Sequence, residues 1–207
     1  MRLPIVKDQT FVKLPKIGCA YWLQWVLVTT SGFLVSLYWI EVGERPDLLA
    51  VEGAIGGAVI GLAQWLVLRQ QFSQAWWWVV ASIVTWVFIG SNGLGALGWV
   101  APRDMYDIPL RISYGAIEGA KVGVLLGITQ WLFLRQQVLR ASWWILASTI
   151  GWAIGLALAW AVGAFLRVTT GIFLGEVVGL ALGWLVVAAV TGVALVWLLR
   201  DSDPDTA

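Results

Sequence analysis

Two glutamine–tryptophan pairs and one acid–base pair are the residues of this chain whose types and spacing could do chemistry. Gln64-Trp65 and Gln130-Trp131 lead, five residues after each Gln, to Arg69 and Arg135. On a helix that interval is ~7.5 Å along the axis. It sets each Gln at the boundary between lipid headgroups and hydrocarbon, where Trp is enriched and a side-chain amide can bond a neighbouring helix. Two roles stay open for Gln64 and Gln130: glue between helices, or a polar ligand for a head group or for the metal of a pigment. Trp65, Trp131, Arg69 and Arg135 read as interfacial anchors, with the arginines snorkelling to phosphate at the negative ends of their helices. Glu118 and Lys121, three residues apart, share a helical face. Counted from Arg135, Lys121 lies ~21 Å into a ~30 Å core. An ammonium at that depth needs an acid beside it. The pair is either structural, with Lys121 snorkelling outward, or the charged marker of a transport path. Glu52, Glu118 and Glu176 recur at the expected starts of three helices, where negative charge is favourable.

The missing residues narrow the field further. The chain has no histidine, which excludes His-ligated haem or chlorophyll and His proton relays. It holds no phosphate-binding loop and no Gly-x-Ser-x-Gly. Cys19 stands alone and makes neither a disulfide nor a zinc site. No basic patch beyond the N-terminal arm would hold nucleic acid. No catalytic residue and no metal site are therefore expected. A pigment role would need a carotenoid held by packing, or a chlorophyll ligated by Gln64, Gln130, Glu52 or Glu118.

The elements that must position these groups are apolar helices. Of 207 residues, 60% are hydrophobic, 12% are charged and 16 are Trp, the composition of a single polytopic membrane domain. Six transmembrane spans are expected, at about 17–40, 48–68, 75–100, 112–134, 141–166 and 176–199, between a basic arm (1–16) and an acidic tail (201–207). Outer-membrane strands would alternate polar and apolar residues over about ten positions, and these runs do not. The fold class is all-α, an integral membrane helical bundle. The spans carry an internal repeat: EGAIGGAVIGLAQWLVLR at 52–69 returns as EGAKVGVLLGITQWLFLR at 118–135. A tryptophan-led stretch follows each copy, AWWWVVAS at 75–82 and ASWWILAS at 141–148. The first span, with TTSGF at 29–33, matches SIVTW at 82–86 and STIGW at 148–152, and the last resembles the glycine-rich helix. Three hairpins result, each a tryptophan-led helix followed by a glycine helix, in a pseudo-threefold arrangement.

The glycines stand four residues apart: Gly53, Gly57 and Gly61; Gly119, Gly123 and Gly127; Gly175, Gly179 and Gly183. Each series lines one helix face and lets another backbone come close. The glycine helices are expected to turn these strips inward and meet one another around the axis. Pro102 and Pro109 are expected to stop helices. Most of the Trp read as belts at the two membrane interfaces, with only Trp86, Trp152 and Trp184 mapping to the interior. Lys and Arg favour the side that holds both termini, which puts the termini in the cytoplasm.

The run from Gly-x-x-x-Gly through Gln-Trp-Leu-x-Leu-Arg to Ala-x-Trp-Trp-x-x-Ala-Ser covers about 52–90 and 118–156. It resembles uncharacterised multi-span bacterial membrane proteins of a cyanobacterial type. The resemblance implies a bacterial inner or thylakoid-type membrane and no particular activity. The expected role is non-enzymatic association, as an accessory or assembly subunit of a membrane complex, with photosynthetic complexes included, or as a binder of flat apolar ligands. The bilayer and other membrane subunits are the expected partners, and nucleic acid is not. The rival expectation is a small-solute or ion transporter with a narrow path between the repeats.

Overall fold

Long runs of Leu, Ala, Val and Trp without internal proline satisfy their backbone polar groups within one segment only as helices. The computed structural model describes residues 17–40, 49–92 and 107–202. They form α1 (Cys19–Ser36), α2 (Ala50–Leu68), α3 (Trp76–Asn92), α4 (Ile108–Leu134), α5 (Trp143–Thr170) and α6 (Leu174–Asp201). No strand occurs among the described residues. By length and composition α2, α4, α5 and α6 can cross a membrane, and α3 is a shorter apolar helix. The basic arm, the linker at 41–47, residues 93–106 with Pro102, and residues 203–207 of the tail lie outside the described residues.

Pro109 begins a helix where it was expected to end one. It sits in the first turn of α4, and Asp107 caps that turn by accepting from the Leu110 N–H at 2.8 Å. A proline there forgoes an N–H that has no helical partner anyway. The helix consequently starts before the expected residue 112. At its other end α5 runs past the expected 166 to Thr170 and stops at Gly171, whose φ is +70°. That left-handed conformation favours glycine and ends the helix.

Each helix packs on its neighbours in the chain, and α6 packs back on α1, so the six close into a ring. The α4–α5 and α5–α6 seams are the tightest, and the α3–α4 seam is the loosest. The glycine strips are packing surfaces, as expected, but their partners are different. A Cβ on Gly119 would strike the Trp152 carbonyl oxygen and lie 2.7 Å from its carbon, and one on Gly123 would lie 2.6 Å from the Ser148 oxygen. The α2 strip, Gly53, Gly57 and Gly61, lies on α3 in the same way, against Trp86, Ile83 and Val79. Gly175, Gly179 and Gly183 of α6 lie on α5. Every strip therefore faces a tryptophan-led helix next to it in the chain, and the glycine helices make no substantial contact with one another. Short turns such as 69–75 hold consecutive helices side by side, and the flat strip is taken up by that adjacent backbone.

The interior holds two clusters. One is built on Trp25, Trp78 and Trp144 with Leu68, Leu134 and Leu195. The other is built on Phe33, Trp86, Trp152 and Trp184 with Ile60, Leu126 and Val187. Trp25, Trp78 and Trp144, expected in the cytoplasmic belt, are 1%, 0% and 1% exposed and belong to the core. Their neighbours Trp76, Trp77 and Trp143 do face outward. Consecutive residues on a helix point in directions about 100° apart, so a run of Trp serves both surfaces.

Candidate functional site

The interior of the ring is organised in layers. Trp25 of α1, Trp78 of α3 and Trp144 of α5 form a triangle of edge-to-face indoles, with centroids 5.8 Å (Trp25–Trp78), 6.2 Å (Trp25–Trp144) and 5.3 Å (Trp78–Trp144) apart. One turn further along each of these helices stand Thr29, Ser82 and Ser148, all buried. A further turn brings Phe33, Trp86 and Trp152, which close on Trp184 of α6. Trp152 meets Trp184 edge-on at 4.7 Å, and Phe33 stacks on it at 5.1 Å.

Between the two aromatic layers lies a polar girdle. Gln64 is 8% and Gln130 5% exposed, so both amides point into the ring. The Trp78 indole donates to Gln64 Oε1 at 2.8 Å, and the Trp144 indole donates to Gln130 Oε1 at 3.1 Å. Each amide also donates: Gln64 Nε2 to Thr29 Oγ1 at 3.3 Å, and Gln130 Nε2 to Ser82 Oγ at 3.4 Å. The Trp25 indole makes the corresponding bond to Thr191 Oγ1 of α6 at 3.1 Å. Five helix-to-helix bonds thus run around the ring, in surroundings where an unpaired polar group would be costly. At the centre is a cavity of about 20 Å³ reached by Gln64, Ser82, Gln130, Ser148 and Thr191.

Sequence reasoning found the two glutamines and missed their counterpart. Matching α6 to α2 by its glycines puts Val186 in the place of Gln64, whereas the indole bond puts Thr191 there. The α6 glycines are accordingly not equivalent to those of α2 and α4, which is why they face α5. The signal was the order of the tryptophan-led helices: Trp25, Trp78 and Trp144 each precede a buried hydroxyl by four residues and an aromatic by eight.

Each arginine of the repeat lies over its own tryptophan. The Arg69 guanidinium lies 4.8 Å from the Trp65 ring centroid, and that of Arg135 lies 5.1 Å from Trp131. These are cation–π contacts one helical turn long. The three glutamates, by contrast, do three different things. Glu52 accepts from the Leu49 N–H at 3.1 Å in the first turn of α2. Glu118 lies well inside α4, because that helix begins at Ile108. It is buried and receives the Lys121 ammonium at 2.6 Å, but the Lys121 side chain is 48% exposed. Lys121 is thus on the outer face of the ring, away from the axis where a transport path was expected. Glu176 accepts from Arg111 Nη1 at 2.9 Å, and both side chains are buried, at 8% and 1% exposed. Arg111 also approaches the Trp160 carbonyl at 3.5 Å and so ties α4 to α6 across α5. Arg111 is not among the site residues expected from the sequence. It precedes Glu118 by seven residues, on the same buried face of α4, and that was its only signal.

A second space lies outside the ring wall. A groove of about 380 Å³ follows the α3–α4 seam, walled by Trp77, Val84, Leu132 and Phe133, with Thr129 and Gln136 as its polar members. Its cause is local. In the seam between α1 and α2, Gly32 lies against Ile60 and Ala63, and in the seam between α5 and α6, Gly151 lies against Val190. The corresponding residue of α3 is Thr85, which bonds Thr129 Oγ1 at 2.7 Å. A threonine where the other seams have glycine holds α3 and α4 apart.

No group of His, Cys, Asp and Glu that could hold a metal ion occurs among the described residues. Comparison with protein-family models, curated proteins and solved structures finds no match.

Proposed function

We propose that the chain crosses a bacterial inner or thylakoid-type membrane six times, as three hairpins around a pseudo-threefold axis, with both termini in the cytoplasm. It acts there without catalysis, by association within the bilayer, as the binder of a flat apolar molecule, and serves a larger membrane complex in that capacity. The threefold recurrence of the indole bond, to Gln64, Gln130 and Thr191, supports the arrangement of hairpins.

The observation that carries the functional reading is the α3–α4 groove. It is open to the periphery and walled mainly by apolar and aromatic side chains. Pockets of this size with a few polar members are where apolar ligands bind. A polyene or quinone ring would lie between Trp77 and Phe133, with a polar end at Gln136. Packing alone holds such a molecule, and no metal ligand is needed. Against a transport path along the axis stand the two aromatic layers packed on either side of the girdle and the outward position of Lys121.

The test is extraction under mild conditions, followed by sizing, mass spectrometry and an absorbance spectrum. The expected result is a co-purifying apolar molecule or partner subunit, with the small molecule lost in Ala81→Trp, which fills the groove. A chain that purifies alone and ligand-free overturns the reading.

A further inference from the structure

We propose that the central cavity is a binding site for a single ordered water molecule, which completes the polar girdle where the third repeat lacks a glutamine. The pattern of the first two repeats states what the third requires. Gln64 and Gln130 each take an indole proton on Oε1 and use Nε2 to reach a hydroxyl on the preceding tryptophan-led helix, Thr29 or Ser82. In α6 the same place is held by Thr191, which takes the Trp25 indole proton at 3.1 Å. Its hydroxyl proton goes to the Val187 carbonyl at 2.7 Å, so it has no donor left for α5. The hydroxyl on α5 at the position of Thr29 and Ser82 is Ser148, which is 1% exposed and lines the same cavity as Thr191. Where an amide spans the gap twice, a shorter side chain leaves it to be spanned by something else.

Size and chemistry select water. A site needs at least about 10–15 Å³ to take one water, and such waters make about three hydrogen bonds. The cavity offers about 20 Å³, enough for one water. Thr191 Oγ1 keeps a lone pair after its two bonds. Gln64 Oε1 and Gln130 Oε1 each accept one indole proton, and a carbonyl oxygen has two lone pairs. The Ser148 hydroxyl can donate. A water accepting from Ser148 and donating to Thr191 and to one glutamine oxygen makes three bonds. No charged side chain lines the cavity, so an ion there would be buried without a counter-charge.

The experiment is a structure of the whole chain in lipid nanodiscs at a resolution that shows ordered water, for the natural protein and for Thr191→Gln and Ser148→Ala. In the natural protein one solvent peak within about 3.2 Å of both Thr191 Oγ1 and Ser148 Oγ is expected. In Thr191→Gln the amide should take over both contacts, with the peak gone and the Trp25 bond kept. In Ser148→Ala the peak should weaken or vanish. A natural protein whose cavity shows no solvent peak overturns the proposal whether or not either variant folds. So does a peak in the natural protein that persists unchanged in Thr191→Gln.

Discussion

Replacing Gln130 with Leu removes one carboxamide from the girdle and strands two partners. The Trp144 indole, 3.1 Å from Oε1, loses its acceptor, and Ser82 Oγ, 3.4 Å from Nε2, loses its donor. Both partners are buried, Trp144 at 1% and Ser82 at 2% exposed, so outside solvent does not replace the amide. A buried donor left unpaired costs about 1–3 kcal/mol, while interhelical bonds in membrane proteins average only ~0.6 kcal/mol with a maximum near 1.7. The leucine regains some packing, so a loss of about 1–2 kcal/mol is expected, set by the stranded indole. Trp144→Phe removes the donor and also trims the edge-to-face contacts with Trp25 and Trp78. The double variant has no stranded indole and should therefore lose about 1 kcal/mol less than the sum of the single losses. Equilibrium unfolding in mixed micelles, or steric trapping in bicelles, measures all four corners of this cycle. Strict additivity, within the ~0.3–0.5 kcal/mol typical of independent sites, would refute a working hydrogen bond between these residues. The Gln64–Trp78 cycle, whose bond is shorter at 2.8 Å, should give coupling of the same sign.

Three further outcomes follow from the packing and the charges. Arg111→Met leaves Glu176 buried without its partner and should cost about 3–5 kcal/mol, most of it recovered in Arg111→Met/Glu176→Leu; a double variant as unstable as the single one would contradict this in the same unfolding assay. Lys121→Ile, which restores the residue found at the matching place in α2, leaves the buried Glu118 without its partner and should cost about 1–3 kcal/mol, less than Arg111→Met because Lys121 itself is half-exposed, with any vesicle flux unchanged. A variant that abolishes flux while remaining folded would reinstate the transport reading. Gly119→Ala forces a Cβ onto the α5 backbone and should cost at least ~1–3 kcal/mol, whereas Gly151→Ala meets only Val190 and Thr191 side-chain carbons, at 3.4–3.7 Å, and should be neutral or gain up to ~1 kcal/mol of helix propensity. Equal losses at the two glycines would mean that the α4–α5 approach is not backbone-limited.

The sequence by itself determined the elements and the local pairs, because these depend on intervals of a few residues along one helix. Apolar runs specified the helices. The four-residue glycine spacing specified packing faces, and Glu118 with Lys121 specified an ion pair, whereas the stacking of Arg69 on Trp65 and of Arg135 on Trp131 was seen only in the structure. The repeat also marked Gln64 and Gln130 as one position used twice. Which helix each face meets depends on rotation about the helix axis and on closure of the ring, and neither is written in local spacing. Only the tertiary structure decided that the glycine strips face tryptophan-led neighbours and that one Trp of the 76–78 run turns inward. It alone put Thr191, eight residues beyond the last glycine of the α6 strip, in the place of a glutamine. The Arg111–Glu176 pair joins residues 65 apart on helices separated by α5, and no periodicity could have paired them. Lys121 shows the same limit from the other side. Its place along α4 followed from counting residues, but whether it faced the axis or the outside of the ring was set by the turn of α4 against α5, where Gly115, Gly119, Gly123 and Gly127 lie on the backbone of α5 and leave Lys121 on the outside.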